Sequence, residues 1–163
     1  MVALAAVFTL AAACGGDDDG DAGSVRPVLD QIEPAMAAVD AERGGPQQYY
    51  EVNATPQFVN LFVAEGTDQV QAYLYVDGEL QPPTPPQDAT GLTFGADAVS
   101  FDPDELLSGV DEELPESDIT VLALVAGADG RVQYIATVES ERGGVLDVTL
   151  AADGTVLLVD PRL

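Results

Sequence analysis

Short apolar segments separated by glycine-containing turns dominate the last third of the chain. Four of them follow one another, with the sequences DITVLALVAG, RVQYIATVES, GVLDVTLA and TVLLV. The tripeptide Ala-Asp-Gly joins the first to the second and the third to the fourth, and Glu-Arg-Gly-Gly joins the second to the third. Glycine adopts the positive φ values of tight hairpins at no steric cost, so turns of this kind join neighbouring antiparallel strands. The pattern therefore predicts a four-stranded antiparallel meander.

A helical pattern precedes this meander, and a second one lies nearer the start of the chain. The later helix is predicted to begin after Asp102, whose side chain can cap it, with Pro103 in the first helical position. The earlier helix is predicted from an apolar stripe with helical spacing between Ser24, a capping residue, and Gly44, which can end the helix. Pro34 is expected to kink this helix or to split it in two.

Three strands and a proline-rich segment follow the first helix. The strands are predicted at residues 47–54, 58–65 and 70–76, where aromatic and β-branched residues are frequent, and the third ends in the turn Asp77-Gly78. The Pro-rich segment, residues 81–90, contains four prolines. It is predicted to be an extended, stiff spacer between two strands of the sheet, with a recognition loop as the alternative.

The two blocks of helix and strands resemble each other in sequence. Residues 61–76 align with residues 122–138 with one gap, and residues 92–101 align with residues 148–157. Alternating strands always look somewhat alike, so coincidence is the alternative explanation. Because the two matches occur in the same order and each follows a helix, we favour an internal duplication.

The predicted fold class is α+β, with two tandem units that each consist of one helix and about four antiparallel strands. The first unit spans residues 24–101, with the Pro-rich segment between its third and fourth strands, and the second spans residues 102–163. A unit of this size has little core of its own, so the two are expected to share a sheet or to pack helix against helix. In topology this arrangement resembles the tandem helix-on-sheet modules of secreted bacterial proteins, such as PepSY-like domains and the β-lactamase inhibitor protein.

The side chains that the sequence lacks narrow the chemistry available to it. The chain has 29 acidic residues, five arginines and neither lysine nor histidine, for a formal net charge of −24. Such a surface repels nucleic acid and anionic lipid head groups, and it favours cationic partners or divalent cations. The alternative is a solvated acidic surface with no specific partner. Without histidine and lysine, the common catalytic triads, imidazole metal sites and Schiff-base mechanisms are excluded. We therefore predict a non-enzymatic protein with no catalytic residues, no cofactor and no metal site.

The chain starts with an apolar segment that ends at its only cysteine. Residues 2–13 carry no charge and are too few for a membrane-spanning helix, which needs about 20 residues. Small residues then precede Cys14. This segment resembles the signal peptide and lipobox of bacterial lipoproteins of the high-GC Gram-positive type, although Ala11 stands where a lipobox usually has leucine. The resemblance implies that residues 1–13 are removed and that Cys14 carries a lipid anchor with acyl chains such as palmitate.

Glycine and aspartate follow the cysteine directly. Residues 14–23, which begin with the lipidated cysteine, are predicted to form a flexible, solvated tether to the folded part of the chain. The predicted location is therefore the extracytoplasmic face of the cell membrane, through the lipid on Cys14. Since no basic residue lies between Met1 and the apolar segment, we expect the true start codon to lie upstream of Met1.

A sheet that helices cover on one side can present its other side to a partner. In the third predicted strand, Tyr73 and Tyr75 alternate with aliphatic residues. We predict that the aliphatic set faces the core, so that the two tyrosines point outward as candidate binding residues. The predicted function is a non-catalytic binding or structural module with an unknown protein or small-molecule partner. The alternatives are a carrier that encloses a hydrophobic ligand between sheet and helices, and a hydrolase that uses carboxylates alone.

Overall fold

The computed structural model describes residues 26–162. The predicted signal peptide, Cys14, the tether and the capping residue Ser24 lie outside the described residues. The helices are α1 (Ile32–Arg43) and α2 (Pro103–Glu113), and 3₁₀ turns occur at Leu29–Gln31 and Ala96–Ala98. The strands are β1 (Gln48–Ala54), β2 (Phe58–Glu65), β3 (Gln69–Val76), β4 (Glu79–Leu80), β5 (Gln87–Asp88), β6 (Phe94–Gly95), β7 (Ser117–Ala126), β8 (Val132–Ser140), β9 (Val145–Leu150) and β10 (Val156–Arg162).

These strands form one antiparallel sheet. Its order is β10-β9-β8-β7-β1-β2-β3-β4, with β5 paired to β3 and β6 paired to β1. The first half of the molecule (residues 26–101) meets the second half (residues 102–162) at the centre of the sheet, where β1 pairs with β7. The described part of the chain is therefore a mixed α and β structure with two helices and one large antiparallel sheet.

The two helices cover the same face of this sheet. Along β1–β3 and β7–β9, buried residues alternate with more exposed ones, and the register brings the buried ones to one face. Ile32 and Val39 of α1, and Leu106 and Val110 of α2, belong to the same core and are at most 1 % exposed. We call this face the helix side, and the opposite face the helix-free side.

Local chemistry fixes the ends of both helices. A 3₁₀ turn precedes α1, so Pro34 falls in the first helical turn, where its missing N–H breaks no helical hydrogen bond. The helix therefore runs through Pro34 without the predicted split, and Gly44 ends it with a φ of 77°, as predicted. The Oδ1 atom of Asp102 accepts the backbone N–H groups of Asp104 (2.9 Å) and Glu105 (3.1 Å), which confirms the predicted cap of α2.

The three hairpin turns predicted in the second half share one geometry. In the turns at residues 127–131, 140–144 and 151–155, the first backbone N–H donates to the last carbonyl oxygen, at 2.7, 3.1 and 2.9 Å. Each turn contains a glycine with positive φ near its end: Gly130 (80°), Gly143 (87°) and Gly154 (80°). The predicted meander is confirmed as β7–β10.

Helix α2 lies directly on the last of these turns. A methyl group on Gly109 of α2 would overlap the carbonyl oxygen of Gly154, and a methyl group on Gly154 would overlap the carbonyl oxygen of Glu105. Gly130 occupies the equivalent place in the β7–β8 turn, and a methyl group there would have no atom within 4 Å. The close approach of α2 to the β9–β10 turn therefore depends on two positions without a side chain.

Buried tyrosine hydroxyls anchor both halves. The hydroxyl of Tyr49 lies 3.2 Å from the carbonyl oxygen of Met36 and 3.1 Å from Oδ1 of Asp40, both on α1. Burial, reinforced by the Asp40 charge, raises the pKa of Tyr49 well above its usual range. In the second half, the Tyr134 hydroxyl donates to the carbonyl oxygen of Ser100 (3.0 Å) and accepts its N–H (3.1 Å), and burial raises the pKa of Tyr134 as well.

An arginine at the end of α1 reaches the β2–β3 hairpin. Arg43 forms an ion pair with Glu65, and its Nη1 donates to Oε1 of Gln71 at 3.0 Å and to the hydroxyl of Tyr73 at 3.2 Å. The hydrogen bond to Glu65 raises the pKa of Arg43 despite its partial burial. The last turn of α1 is thus tied to two neighbouring strands by polar contacts.

The Pro-rich segment forms the edge of the sheet beside β3 and is not a spacer. The residues before it pair with β3 as β4, and its own residues 87–88 do so as β5. Between them, the N–H of Gln81 donates to the carbonyl of Leu74 (2.8 Å) and the N–H of Thr84 to that of Ala72 (2.9 Å). Proline fits an edge strand when its missing N–H faces away from the neighbouring strand. Because edge strands and linkers both tolerate proline, composition alone did not separate the two.

The fourth strand predicted after the Pro-rich segment is only two residues long. Within residues 92–101, Phe94–Gly95 forms β6 beside β1, and the 3₁₀ turn Ala96–Ala98 follows. The segment continues to α2, and Phe101 packs its ring against Tyr134 at a centroid distance of 5.4 Å. The segment therefore connects the two halves instead of extending the first one.

Candidate binding surface

Tyr73 and Tyr75 lie on the helix side, where they are 5 % and 9 % exposed. Their neighbours on β2 are Leu61 and Val59, both fully buried, so the register places the tyrosines in the core. The prediction that they point outward as binding residues is wrong. Both sets of alternating residues in β3 are apolar enough for a core, and the neighbouring strand decides between them. The aliphatic residues of β3 consequently lie on the helix-free side.

The helix-free side is an extended apolar surface that crosses both halves. On β2 and β3, Phe62 lies opposite Ala72, and on β7 and β8, Ala123 lies opposite Ile135. Leu158 on β10, which is 53 % exposed, lies on the same face, and Thr149 of β9 separates it from Ile135. Its other apolar members are half-buried: Phe58, Phe62, Ala64, Val70, Ala72, Leu74, Val76, Val121, Ala123, Val125 and Ile135. Contiguous exposed apolar surface of this kind marks sites of interaction.

A short polar strip lies at the centre of this surface. The Nδ2 atom of Asn60 donates to Oδ1 of Asn53 (3.0 Å), and Nδ2 of Asn53 donates to Oε1 of Glu51 (2.9 Å). Glu51 itself lies between two apolar neighbours, opposite Phe62 on β2 and opposite Val125 on β7. Sequence reasoning missed Glu51, whose only signal is a carboxylate inside the first predicted strand.

Each of the five arginines is paired with a carboxylate, and none of them with Glu51. The pairs are Arg26–Asp111 (2.7 Å), Arg43–Glu65, Arg131–Asp129 (3.9 Å), Arg142–Glu116 and Arg162–Asp147 (2.6 Å). Since the sequence has no lysine or histidine, no further side-chain cation is present to neutralise the remaining acids. The net negative charge is therefore a property of the whole surface, including its apolar part.

The acidic residues are not gathered into a metal centre. Among residues 26–162, no group of three or more His, Cys, Asp or Glu side chains could hold a metal ion. The carboxylate of Asp102, one of the acids clustered at the start of α2, is occupied as a helix cap. No helix in the described part of the chain is long and apolar enough to cross a bilayer.

The interior between sheet and helices is filled by side chains. Depressions of about 660 Å³ beside Phe58 and about 570 Å³ beside Tyr134 lie at the surface and open to solvent. The helix-free side, with Glu51 at its centre, is thus the candidate binding surface of the described residues. No protein-family model, curated protein or solved structure matches this chain.

Proposed function

We propose that this protein is a non-catalytic binding module, held at the extracytoplasmic face of the membrane by a lipid on Cys14, whose helix-free side docks a partner protein. The observation that carries the proposal is the apolar surface on the face of the sheet opposite both helices, which lies on β2, β3 and β7 and surrounds the polar strip at Glu51. An uncovered face of this kind costs free energy in water, and a partner that covers it recovers that cost.

The packing of the helix side supports surface binding over the enclosure of a ligand. A carrier for a hydrophobic ligand needs a cavity between sheet and helices, whereas Ile32, Val52 and Leu124 are fully buried there with their neighbours. Protein interiors of this kind are close-packed and leave no room for a second molecule. Apolar area is accessible instead on the opposite face.

We also propose that the two halves are duplicated helix-on-sheet units, residues 24–101 and 102–163. Each half has one helix followed by three long extended segments and an outer one, which is the Pro-rich edge in the first half and β10 in the second. The first strands of the two units, β1 and β7, pair at the centre of the sheet. In this arrangement β1 and β2 correspond to β7 and β8. The sequence alignment of residues 61–76 with 122–138 instead matches β2 and β3 with β7 and β8, so the two correspondences differ by one strand.

The tether joins the folded part of the chain at Arg26, and the position of Arg26 supports the helix-free side as the docking surface. Eleven residues lie between Cys14 and Arg26, and these twelve residue steps span about 40 Å when fully extended. Arg26 pairs with Asp111 of α2 at 2.7 Å, so the chain enters on the helix side. A tether that joins the folded part on the helix side leaves the helix-free side accessible to a partner.

Lipid labelling tests the anchor. The full chain is expressed with its leader in a Gram-positive host that is fed a clickable fatty acid. The wild type is expected to be labelled and membrane-bound, and Cys14→Ala to be unlabelled and released to the medium. The double variant Cys14→Ala/Ser24→Cys is the control, because it keeps one thiol, directly after the tether and away from the lipobox. Labelling of either variant would contradict the proposed anchor.

Site-specific photo-crosslinking tests the binding face in the same cells. A photoreactive phenylalanine analogue replaces Phe62 on the helix-free side or, as the control, Glu33 on the exposed face of α1. We expect a crosslinked protein of one defined mass from position 62 and none from position 33. Crosslinking from position 33 alone, or an identical pattern from both positions, would rule out the helix-free side as the docking surface.

A further inference from the structure

The central carboxylate of the helix-free side has no cation of its own. We infer that Glu51 is the specificity-determining residue of this surface and that it receives an arginine or lysine side chain set within an apolar patch of the partner protein. This inference rests on the proposed function, because it specifies the chemistry of the partner that docks on the helix-free side.

Because of the position of Glu51, its charge affects the free energy of binding when a partner covers the helix-free side. It lies in the central strand β1, directly opposite Phe62 on one side and Val125 on the other. Side chains directly opposite in an antiparallel pair are in contact range, with Cβ atoms about 4.5–5.5 Å apart. A partner that covers Phe62 and Val125 therefore also removes water from Glu51. A carboxylate that loses its water must gain a cation or hydrogen-bond donors, or it opposes binding.

The neighbouring amides hold the carboxylate in place without neutralising it. Asn60 donates to Asn53, and Asn53 donates to Oε1 of Glu51 at 2.9 Å. This relay satisfies one oxygen, and no donor within residues 26–162 is found for Oε2. An amide relay orients a carboxylate but carries no formal charge, so the negative charge of Glu51 stays available to an incoming cation.

The rest of the molecule cannot provide that cation. All five arginines are paired with other carboxylates, and the sequence has no lysine or histidine. The net charge of −24 also steers cationic partners toward the molecule and repels acidic ones. Charge complementarity therefore requires the partner to bring the positive group.

The aromatic neighbour favours arginine over lysine. A guanidinium can form paired hydrogen bonds with the carboxylate of Glu51 while its plane stacks on the ring of Phe62, which an ammonium group cannot do equally well. An apolar partner without a cation would bury the carboxylate unpaired, and this selects against it. The apolar residues thus provide contact area, and Glu51 determines which partners bind.

Displayed peptides of defined composition test the inference. Two libraries of short peptides, with arginine or glutamine fixed at the centre and random flanking residues, are selected on the full chain. Peptides enriched from the arginine library, and their Arg→Gln counterparts, are then titrated against the wild type, Glu51→Gln, Glu139→Gln and Phe62→Ala. Glu51→Gln preserves the side-chain shape and an oxygen that can accept from Asn53. Glu139→Gln removes the same charge from an exposed position in β8 that also lies on the helix-free side.

We expect the arginine peptides to lose about tenfold or more in affinity on Glu51→Gln and to change by about twofold or less on Glu139→Gln. The glutamine counterparts are expected to bind the wild type and Glu51→Gln alike, so that the double-mutant cycle assigns the loss to the pair. Equal losses from the two glutamine variants would indicate general charge attraction and overturn the inference. Sensitivity to Phe62→Ala without sensitivity to Glu51→Gln would overturn it and leave the docking face intact. Sensitivity to neither would overturn the inference and the proposed binding face together.

Discussion

The two halves of the molecule fix their helices to the same sheet face by different means. In the first half, α1 is held by hydrogen bonds from Tyr49 and Arg43 to neighbouring elements. In the second half, α2 rests on a turn at a distance that only Gly109 and Gly154 permit. The side-chain hydrogen bonds of the first half can be removed one at a time, and they depend on pH. The backbone contact of the second half leaves no space for any added side chain. We therefore expect the second half to be the more brittle under substitution.

Gly154→Ala is expected to have the largest effect on the free energy of unfolding. The added methyl group would overlap the carbonyl oxygen of Glu105, and alanine would also have to adopt a φ of 80°. We expect a loss of about 3–4 kcal/mol in the free energy of unfolding, measured by denaturant titration. Gly130→Ala is the matched control, since it has the same φ in the same Ala-Asp-Gly turn with free space around it, and it should cost about 1 kcal/mol. Equal losses of stability in the two variants would mean that the positive φ alone requires a glycine at position 154, and that the close contact with α2 does not.

In the first half, Tyr49→Phe removes the hydroxyl that joins β1 to α1. The loss leaves acceptors on Met36 and Asp40 without this partner in a buried site, so we expect a decrease of about 1–2 kcal/mol in the free energy of unfolding. Tyr50→Phe serves as the control because its hydroxyl is 3.4 Å from the carbonyl of Ala89, and a change within about 0.5 kcal/mol is expected. A Tyr49→Phe variant as stable as the wild type would show that packing alone holds α1.

Alkaline pH should weaken the first half more than the second. A tyrosine whose pKa is raised by folding contributes its full stabilisation below the ordinary pKa of 10.0 and loses it as the pH rises further. The pKa of Tyr49 is raised the more strongly, because Asp40 adds to burial, whereas the backbone of Ser100 opposes the rise at Tyr134. We expect about 1 kcal/mol to be lost per pH unit above that value for each tyrosine. Tyrosinate absorbance of Tyr49→Phe and Tyr134→Phe separates the two contributions, and titration of Tyr49 at its ordinary pKa in the folded protein would contradict the assignment.

The smallest expected effect distinguishes a partly buried arginine from an exposed one. Arg43 and Arg142 each pair with a glutamate, but their side chains are 20 % and 80 % exposed. Arg43→Met should lower the free energy of unfolding by about 1 kcal/mol, and Arg142→Met should leave it unchanged within about 0.5 kcal/mol, because water screens the exposed pair. Equal changes would show that the additional bonds of Arg43 to Gln71 and Tyr73 add nothing.

Features that depend on neighbouring residues in sequence were predictable, since short-range chemistry determines them. The cap at Asp102, the end of α1 at Gly44 and the hairpins that contain Gly130 and Gly154 were read directly from residue type and spacing. In these places the φ angle or the hydrogen bond belongs to the residue itself or to one a few positions away.

Features that depend on distant strands were not predictable in the same way. Tyr73 and Tyr75 alternate with residues that are equally suited to a core, and only the register with Leu61 and Val59 places the tyrosines inside. The Pro-rich segment reads as a linker until its bonds to β3 are known. Glu51 gains meaning only because Phe62 and Val125 come from other strands.

The prolines that border β3 also determine how copies of this chain behave toward one another. Residues 82, 83, 85 and 86 have no amide hydrogen, so a second molecule that approaches this border finds too few donors to add a strand. An unprotected border of this kind can add a strand from a second copy and so begin a fibre. The prolines beside β3 protect this border of the sheet against such strand addition.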